Sequence, residues 1–216
     1  MKKISSKIIR SKLDNWVSRV GTGRYQPSNY VDDIDTTFSL SENFGIQQVK
    51  TEIYQFIDIL LKQKKTKNCL EIGLGLYGST HFLWRLIFEK TITIEHQKDR
   101  IFRFTENMNK FHKKFVLNDL KSRFVFGLSN DATSVEKVDK ILDGKKLNLL
   151  FIDGDHNYKN VLCDWLLYKN FVEKGGIIAF HDCIANDDSY GVPKLLKKIN
   201  LFDNRIKLKK IIDSKN

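Results

Sequence analysis

Proline and cysteine are scarce: 216 residues hold 2 Pro, 3 Cys, 2 Met and 12 Gly. So little Pro and Gly argues against collagen-like or low-complexity disordered chains. Nowhere do about 18 apolar residues run together, and the start MKKISSKIIRSKLDNW has a positive end with no apolar segment behind it. Neither a membrane helix nor a secretory leader is expected, and the expected location is cytoplasmic. Cys69, Cys163 and Cys183 are odd in number and lack C-x-x-C spacing, so they read as reduced thiols and not as a disulfide framework or zinc site. Charge balance is lacking too, since 37 Lys+Arg against 26 Asp+Glu leave +11. Both signs are interspersed, however, so the Lys-rich ends read as solvated faces and not as a nucleic-acid footprint.

What is present suits one folded unit. A 41% hydrophobic, 12% aromatic chain of this length buries roughly 70% of its unfolded surface. From Asn68 onward, short apolar runs alternate with helical stretches, which is the rhythm of parallel βαβ units. Strands are expected at Asn68–Ile72, Thr91–Glu95, Arg123–Gly127, Asn148–Asp153 and Gly176–His181. Helices are expected at Ile46–Lys62, Ser79–Phe88, Ile101–Leu117, Ser134–Leu142, Tyr158–Val172 and Gly191–Ile199. The stripes Phe82, Leu83, Leu86, Ile87 and Val161, Leu162, Trp165, Leu166, Phe171 should pack on the sheet. Met1–Phe44, rich in polar turns, reads as an N-terminal cap appended to a Rossmann-like doubly wound α/β domain over residues 45–216.

The strongest local signal is Cys69-Leu-Glu-Ile-Gly-Leu-Gly-Leu-Tyr-Gly-Ser-Thr80, a strand running through Gly73, Gly75 and Gly78 into a helix. Such glycines let the backbone approach a nucleotide-like ligand, and Glu95 closes the next strand where a carboxylate can grip ribose hydroxyls. Acidic groups gather at the strand ends: Glu71, Glu95, Asp131, Asp153 with Asp155, and Asp182. This anionic crevice would repel a dinucleotide's pyrophosphate but suits S-adenosylmethionine, which brings a sulfonium and an ammonium and no phosphate. Glu71 carries most weight, because an unpaired carboxylate inside an apolar strand is costly unless a cation answers it.

Through E-I-G-L-G-L-Y-G at Glu71–Gly78, Glu95, and S-N-D-A at Ser129–Ala132, the sequence resembles class I S-adenosylmethionine-dependent methyltransferases. The paired segments F-I-D-G-D-H-N-Y-K-N-V (Phe151–Val161) and K-G-G-I-I-A-F-H-D (Lys174–Asp182) are the most specific. They resemble the metal-associated small-molecule and sugar O-methyltransferases related to macrocin O-methyltransferases and cephalosporin hydroxylase-like proteins. The resemblance implies that Glu71, the loop Gly73, Gly75, Gly78 and Ser79 hold the methionine part. It likewise assigns Glu95 to the ribose, and Asn130, Asp131 and Ala132 to the flanks of the adenine. Asp153 and Asp182, with His181 beside them, would sit over the methyl group, Asp153 also bordering the cofactor. Such relatives often carry a second carboxylate where this chain has His181, and they finish with an antiparallel seventh strand inserted between the fifth and sixth. Here a sixth strand is expected at Ile206–Ile212 and no seventh follows. That open edge predicts self-association covering Gly176–His181 and Ile206–Ile212, or weak order after Phe202.

The chemistry agrees with this placement. An aliphatic hydroxyl has a pKa of about 15, so methyl transfer to it needs in-line positioning and a proton acceptor. One route has a divalent cation such as Mg²⁺ on Asp153, Asp182 and His181, with Asp155 or His156 taking the proton. The other uses His181 and Asp155 without metal. Blander roles compete: Asp153 and Asp155 as caps of the following helix, Asp164 as a local salt-bridge partner, Trp165 and Tyr168 as packing, and His81, His96 and His112 as ordinary residues.

Three other functions leave residues without a task. A dehydrogenase explains the glycines and Glu95 but not Glu71 or the paired segments. A nucleic-acid methyltransferase fits the net charge, but the fourth strand lacks an Asn/Asp-Pro-Pro-aromatic ending. A non-enzymatic scaffold gains nothing from buried acids. The expected acceptor is a small hydroxylated molecule, a sugar or natural product, selected by Met1–Phe44 and Ile184–Val192, where Tyr25, Tyr30 and Tyr190 lie.

Overall fold

Five of the apolar runs pair into one parallel sheet in a computed structural model that describes residues 5–20, 37–39, 45–111, 121–183 and 191–202 and the isolated positions 207, 209 and 211. In chain order the elements are α1 (Ser6–Val20), β1 (Thr37–Ser39), β2 (Gly45–Val49), α2 (Lys50–Gln63), β3 (Asn68–Ile72), α3 (Ser79–Ile87) and β4 (Lys90–Glu95). There follow α4 (Lys98–Phe111), β5 (Ser122–Phe126), α5 (Ala132–Leu142), β6 (Leu147–Ile152), α6 (Tyr158–Tyr168), β7 (Val172–Phe180) and α7 (Val192–Phe202). The order β5-β4-β3-β6-β7, parallel at every junction, is the expected doubly wound α/β sheet. Connectivity reverses direction between β3 and β6, and crevices for ligands open there, past the strands' carboxyl ends.

Strand alternation sorts the side chains into two layers. Leu70, Ile72, Ile92, Ile94, Leu150 and Ile152 face a core closed by Val138 and Leu142 of α5, Val161, Trp165 and Tyr168 of α6, and Leu195 and Ile199 of α7. Cys69, Leu149 and Phe151 face the opposite core, made by α1 to α4. All five residues of β3 and all six of β6 are buried, as strands covered on both faces must be. Each fully buried Leu or Ile there contributes about 1.5–3 kcal/mol of transfer free energy.

Three expectations need correction. The turn-rich reading of the first residues missed α1, whose Ile9, Leu13, Trp16, Val17 and Val20 recur at helical spacing and are all buried. The helix expected from Ile46 begins at Lys50, because Gly45–Val49 pairs antiparallel with β1, Thr37 opposite Val49. The buried face of α6 runs Val161, Asp164, Trp165, Tyr168, so Leu166 turns outward at 47% exposure. The strand expected at Ile206–Ile212, apart from the isolated positions, lies outside the described residues. So do Tyr25, Tyr30, His112, Tyr190 and the end of the helix expected to reach Leu117.

Candidate active site

The glycine loop is shaped by how closely two strand ends meet. Gly73 has φ +90°, and a Cβ there would lie 2.1 Å from the Asp153 carbonyl oxygen, so only glycine lets the ends of β3 and β6 touch. Gly75, also at positive φ, has nothing within 4 Å on the side where a Cβ would project, which leaves its outer face free for a ligand. Gly78 precedes α3 as its N-cap. Across the loop the Glu95 carboxylate accepts hydrogen bonds from the Leu74 N–H at 3.0 Å and the Gln97 N–H at 2.8 Å, with Arg100 at 3.4 Å. Glu95 therefore holds the loop's shape from the position expected of a ribose ligand.

Glu71 has 0% exposure, on the sheet face covered by α3. Its Oε1 accepts from Trp84 Nε1 at 3.0 Å and its Oε2 from the Thr93 hydroxyl at 2.6 Å. Thr93 in turn lies 2.6 Å from His81 Nδ1, and His81 Nε2 lies 2.9 Å from the Ser122 hydroxyl, to which Arg85 also donates. One directional chain satisfies every contact: Arg85 and His81 give N–H, Ser122 gives O–H to His81 Nε2, and Thr93 gives O–H to Glu71. The desolvation cost that sequence reasoning raised is answered here by neutral donors from α3 and β4. His81, which reads as ordinary in the sequence, is the centre of that chain. Ser79, at the start of α3, accepts from Trp16 Nε1 at 3.1 Å.

Past β6 and β7 the structure gathers Asp153, His181 and Asp182, whose ligating atoms all lie within 4.8 Å of one another. His181 Nδ1 is 3.2 Å from Asp153 Oδ1 and 3.1 Å from Asp182 Oδ2, and His156 Nδ1 reaches the same Asp182 oxygen at 2.5 Å. Asp182 sits at φ 53°, a left-handed conformation uncommon outside glycine and Asn/Asp and enriched at functional sites. Burial alone would lift its carboxyl, but the hydrogen bonds and charges of His156 and His181 hold it well below the usual range. The Asp182 hydrogen bond raises His156; at His181 burial pulls downward and Asp153 and Asp182 outweigh it, leaving the imidazole well above its ordinary value. Gln48 on β2, which no sequence motif singles out, donates to Asp153 Oδ2 at 2.9 Å. The chain comes back to the cluster at Gly191, whose N–H bonds the His156 carbonyl at 2.6 Å. A Cβ there would lie 2.1 Å from Tyr158 backbone atoms.

Other expected residues stand apart. Asp155 spends both oxygens on the N-terminal turn of α6, accepting from Asn157 N–H at 2.8 Å and from the Asn160 amide at 2.7 Å. These bonds keep its carboxyl below the ordinary range although burial pulls upward. Asn130, Asp131 and Ala132 line an exposed rim where β5 passes into α5, with Asp131 as the N-cap residue. Asp164 finds no salt-bridge partner among the described residues: it is 1% exposed, and neither oxygen makes a hydrogen bond of normal geometry.

A model of the family described as "Methyltransferase domain" matches residues 56–183, which span the glycine loop, Glu95 and the whole Asp153–Asp182 cluster. The chain belongs to that family. Solved structures share the methyltransferase's fold: an O-methyltransferase from Bacillus cereus in complex with SAH (TM-score 0.55, 14% identity, 96% of this chain and 83% of that one) and an SAH-bound methyltransferase of Podospora anserina (0.56, 16%, 95% and 84%). MycE of the mycinamycin pathway, in complex with Mg, SAH and mycinamycin VI, aligns at TM-score 0.51 and 15% identity over 74% of this chain and 43% of its own. A protein of Acanthamoeba polyphaga mimivirus is 36% identical over 77 residues, so the methyltransferase spans about a third of that curated relative. Among the described residues no helix is long and apolar enough to cross a membrane.

Proposed function

We propose that this methyltransferase moves the methyl group of S-adenosylmethionine to a hydroxyl oxygen of a small molecule, a sugar or natural product. The observation that carries the reading is the Gly73–Asp153 contact. It puts a loop suited to the cofactor directly beside a cluster suited to the acceptor. Gly73, Gly75, Gly78 and Ser79 form the cradle of the methionine part, with Glu71 fixing its floor from beneath. Glu95 takes the ribose hydroxyls, and Asn130, Asp131 and Ala132 border the adenine. The acceptor oxygen attacks the methyl carbon as the carbon–sulfur bond breaks, and S-adenosylhomocysteine leaves. Proximity and alignment supply most of the acceleration for such a step. His156, at 45% side-chain exposure and hydrogen-bonded to Asp182, takes the hydroxyl proton in its neutral form, since the Asp155 oxygens are engaged elsewhere.

Mg²⁺ prefers an all-oxygen shell, whereas the donor set here is two carboxylates and an imidazole. The residues therefore do not match that ion. Met1–Phe44 acts in this reading as a cap that selects the acceptor. The three cysteines are free thiols, which suits a cytoplasmic enzyme. Methyl transfer from labelled S-adenosylmethionine to a panel of saccharides and phenols tests the proposal. Calorimetry showing no S-adenosylmethionine binding would refute it.

A further inference from the structure

The geometry points to a first-row transition ion, and not Mg²⁺, as the cation that Asp153, His181 and Asp182 bind, with His181 Nδ1 as a nitrogen ligand. This rests on the methyltransferase reading only for the location of the acceptor. Two observations carry it. His181 Nδ1 stands 3.2 Å from Asp153 Oδ1 and 3.1 Å from Asp182 Oδ2. Adjacent ligands around an ion with bonds of about 2.1 Å are separated by about 3.0–3.4 Å, so the imidazole stands where a corner ligand would, and an ion entering there displaces the Nδ1 proton that bridges the carboxylates, releasing it to solvent. Asp153 is also braced from outside: Gln48 donates to its Oδ2 at 2.9 Å, leaving Oδ1 facing His181, while His156 shares Asp182 Oδ2 with His181 and fixes that carboxylate's orientation. Outer partners of this kind orient ligands in built metal sites.

The donor chemistry then chooses the ion. Imidazole nitrogen adds affinity for Co²⁺, Zn²⁺, Fe²⁺ or Mn²⁺ and little for Mg²⁺, which dehydrates reluctantly and is served by carboxylate and water oxygen. His181 is pinned to this place by its own backbone, its N–H bonding the Ile152 carbonyl at 3.0 Å as β7 runs alongside β6. The imidazole is therefore part of the sheet edge that forms the site.

The test uses the full chain, freed of metal with a chelator, and titrates Co²⁺ and Mg²⁺ separately by calorimetry while recording the visible d–d spectrum of bound Co²⁺. One Co²⁺ should bind at least 10-fold more tightly than Mg²⁺, with bands characteristic of mixed nitrogen and oxygen ligation. His181→Asp should keep a site but narrow the gap at least 10-fold by favouring Mg²⁺, and His181→Ala should weaken Co²⁺ at least 10-fold. Equal or tighter Mg²⁺ binding, no binding of either ion, or an unchanged gap in His181→Asp would each overturn the inference. S-adenosylmethionine titrated into the same metal-free protein separates the two ideas. Cofactor binding without ion binding sinks this inference alone, and selective Co²⁺ binding without cofactor binding sinks the functional reading alone.

Discussion

Trp16 Nε1 hydrogen-bonds Ser79 Oγ at 3.1 Å, and its ring stacks on Phe82 at 4.5 Å, so the N-terminal helix grips the helix that begins at the glycine loop. Trp16 is 1% exposed. Trp16→Ala should cost about 3–5 kcal/mol of stability in denaturant unfolding. Trp16→Phe keeps a ring on Phe82 and loses one hydrogen bond, about 1 kcal/mol, and should weaken S-adenosylmethionine by a few-fold through Ser79. Unchanged cofactor affinity in Trp16→Phe would confine the contact to folding.

Glu95→Ala should weaken S-adenosylmethionine by about 1–3 kcal/mol, for lost charge-assisted bonds to the ribose and a slackened loop at Leu74. Glu71→Gln acts first on the fold. It turns an amide N–H₂ toward Thr93 or Trp84, both donors, for a cost of about 1–3 kcal/mol, with weaker cofactor binding following. Calorimetry paired with thermal unfolding distinguishes the two variants.

Asp153→Asn and Asp182→Asn should abolish turnover while cofactor affinity stays within a few-fold. Asparagine tolerates the left-handed backbone at 182, so that variant keeps the local fold. Retained turnover in either variant removes that residue from the acceptor side, and collapse of cofactor affinity moves it to the cofactor pocket.

Asp164 supplies a pH dependence. Burial raises its carboxyl from 3.8 to about 6; Ser129 opposes the rise and Asp155 adds to it, while Tyr168, its other ionisable neighbour, stays neutral in this range. Because the folded state holds the proton more tightly, stability is greatest below the unfolded value. It falls as pH rises from 3.8 to about 6 and levels off above, a loss of up to about 3 kcal/mol. Asp164→Asn should therefore raise the unfolding free energy at pH 7.5 but hardly at pH 4. Equal effects at both values would disprove the assignment.

The inner strands β3, β4 and β6 were legible because each is a short apolar run ended by Gly or an acid, and burial on both faces leaves no other pattern, whereas the edge strands β5 and β7 are only partly covered. The cluster was legible in part: Asp153, His181 and Asp182 follow strand ends, where the fold concentrates chemistry. What the sequence hid is side-chain direction across long separations. Gln48 meets Asp153 only because β2 returns over the sheet, and His81 meets Glu71 only because α3 crosses β3 and β4. Asp155 differs for a local reason: Asn157 and Asn160, two and five residues on, outcompete the cluster for its oxygens.

Gly191 and Asp182 both end on His156, one on its carbonyl and the other on its ring. The stretch 184–190 is thus inserted between two points that the core already holds at one residue. Doubling such an insertion costs only about 0.6 kcal/mol in closure entropy. A change in the length of that stretch should therefore leave His156, His181 and Asp182 where β6 and β7 put them.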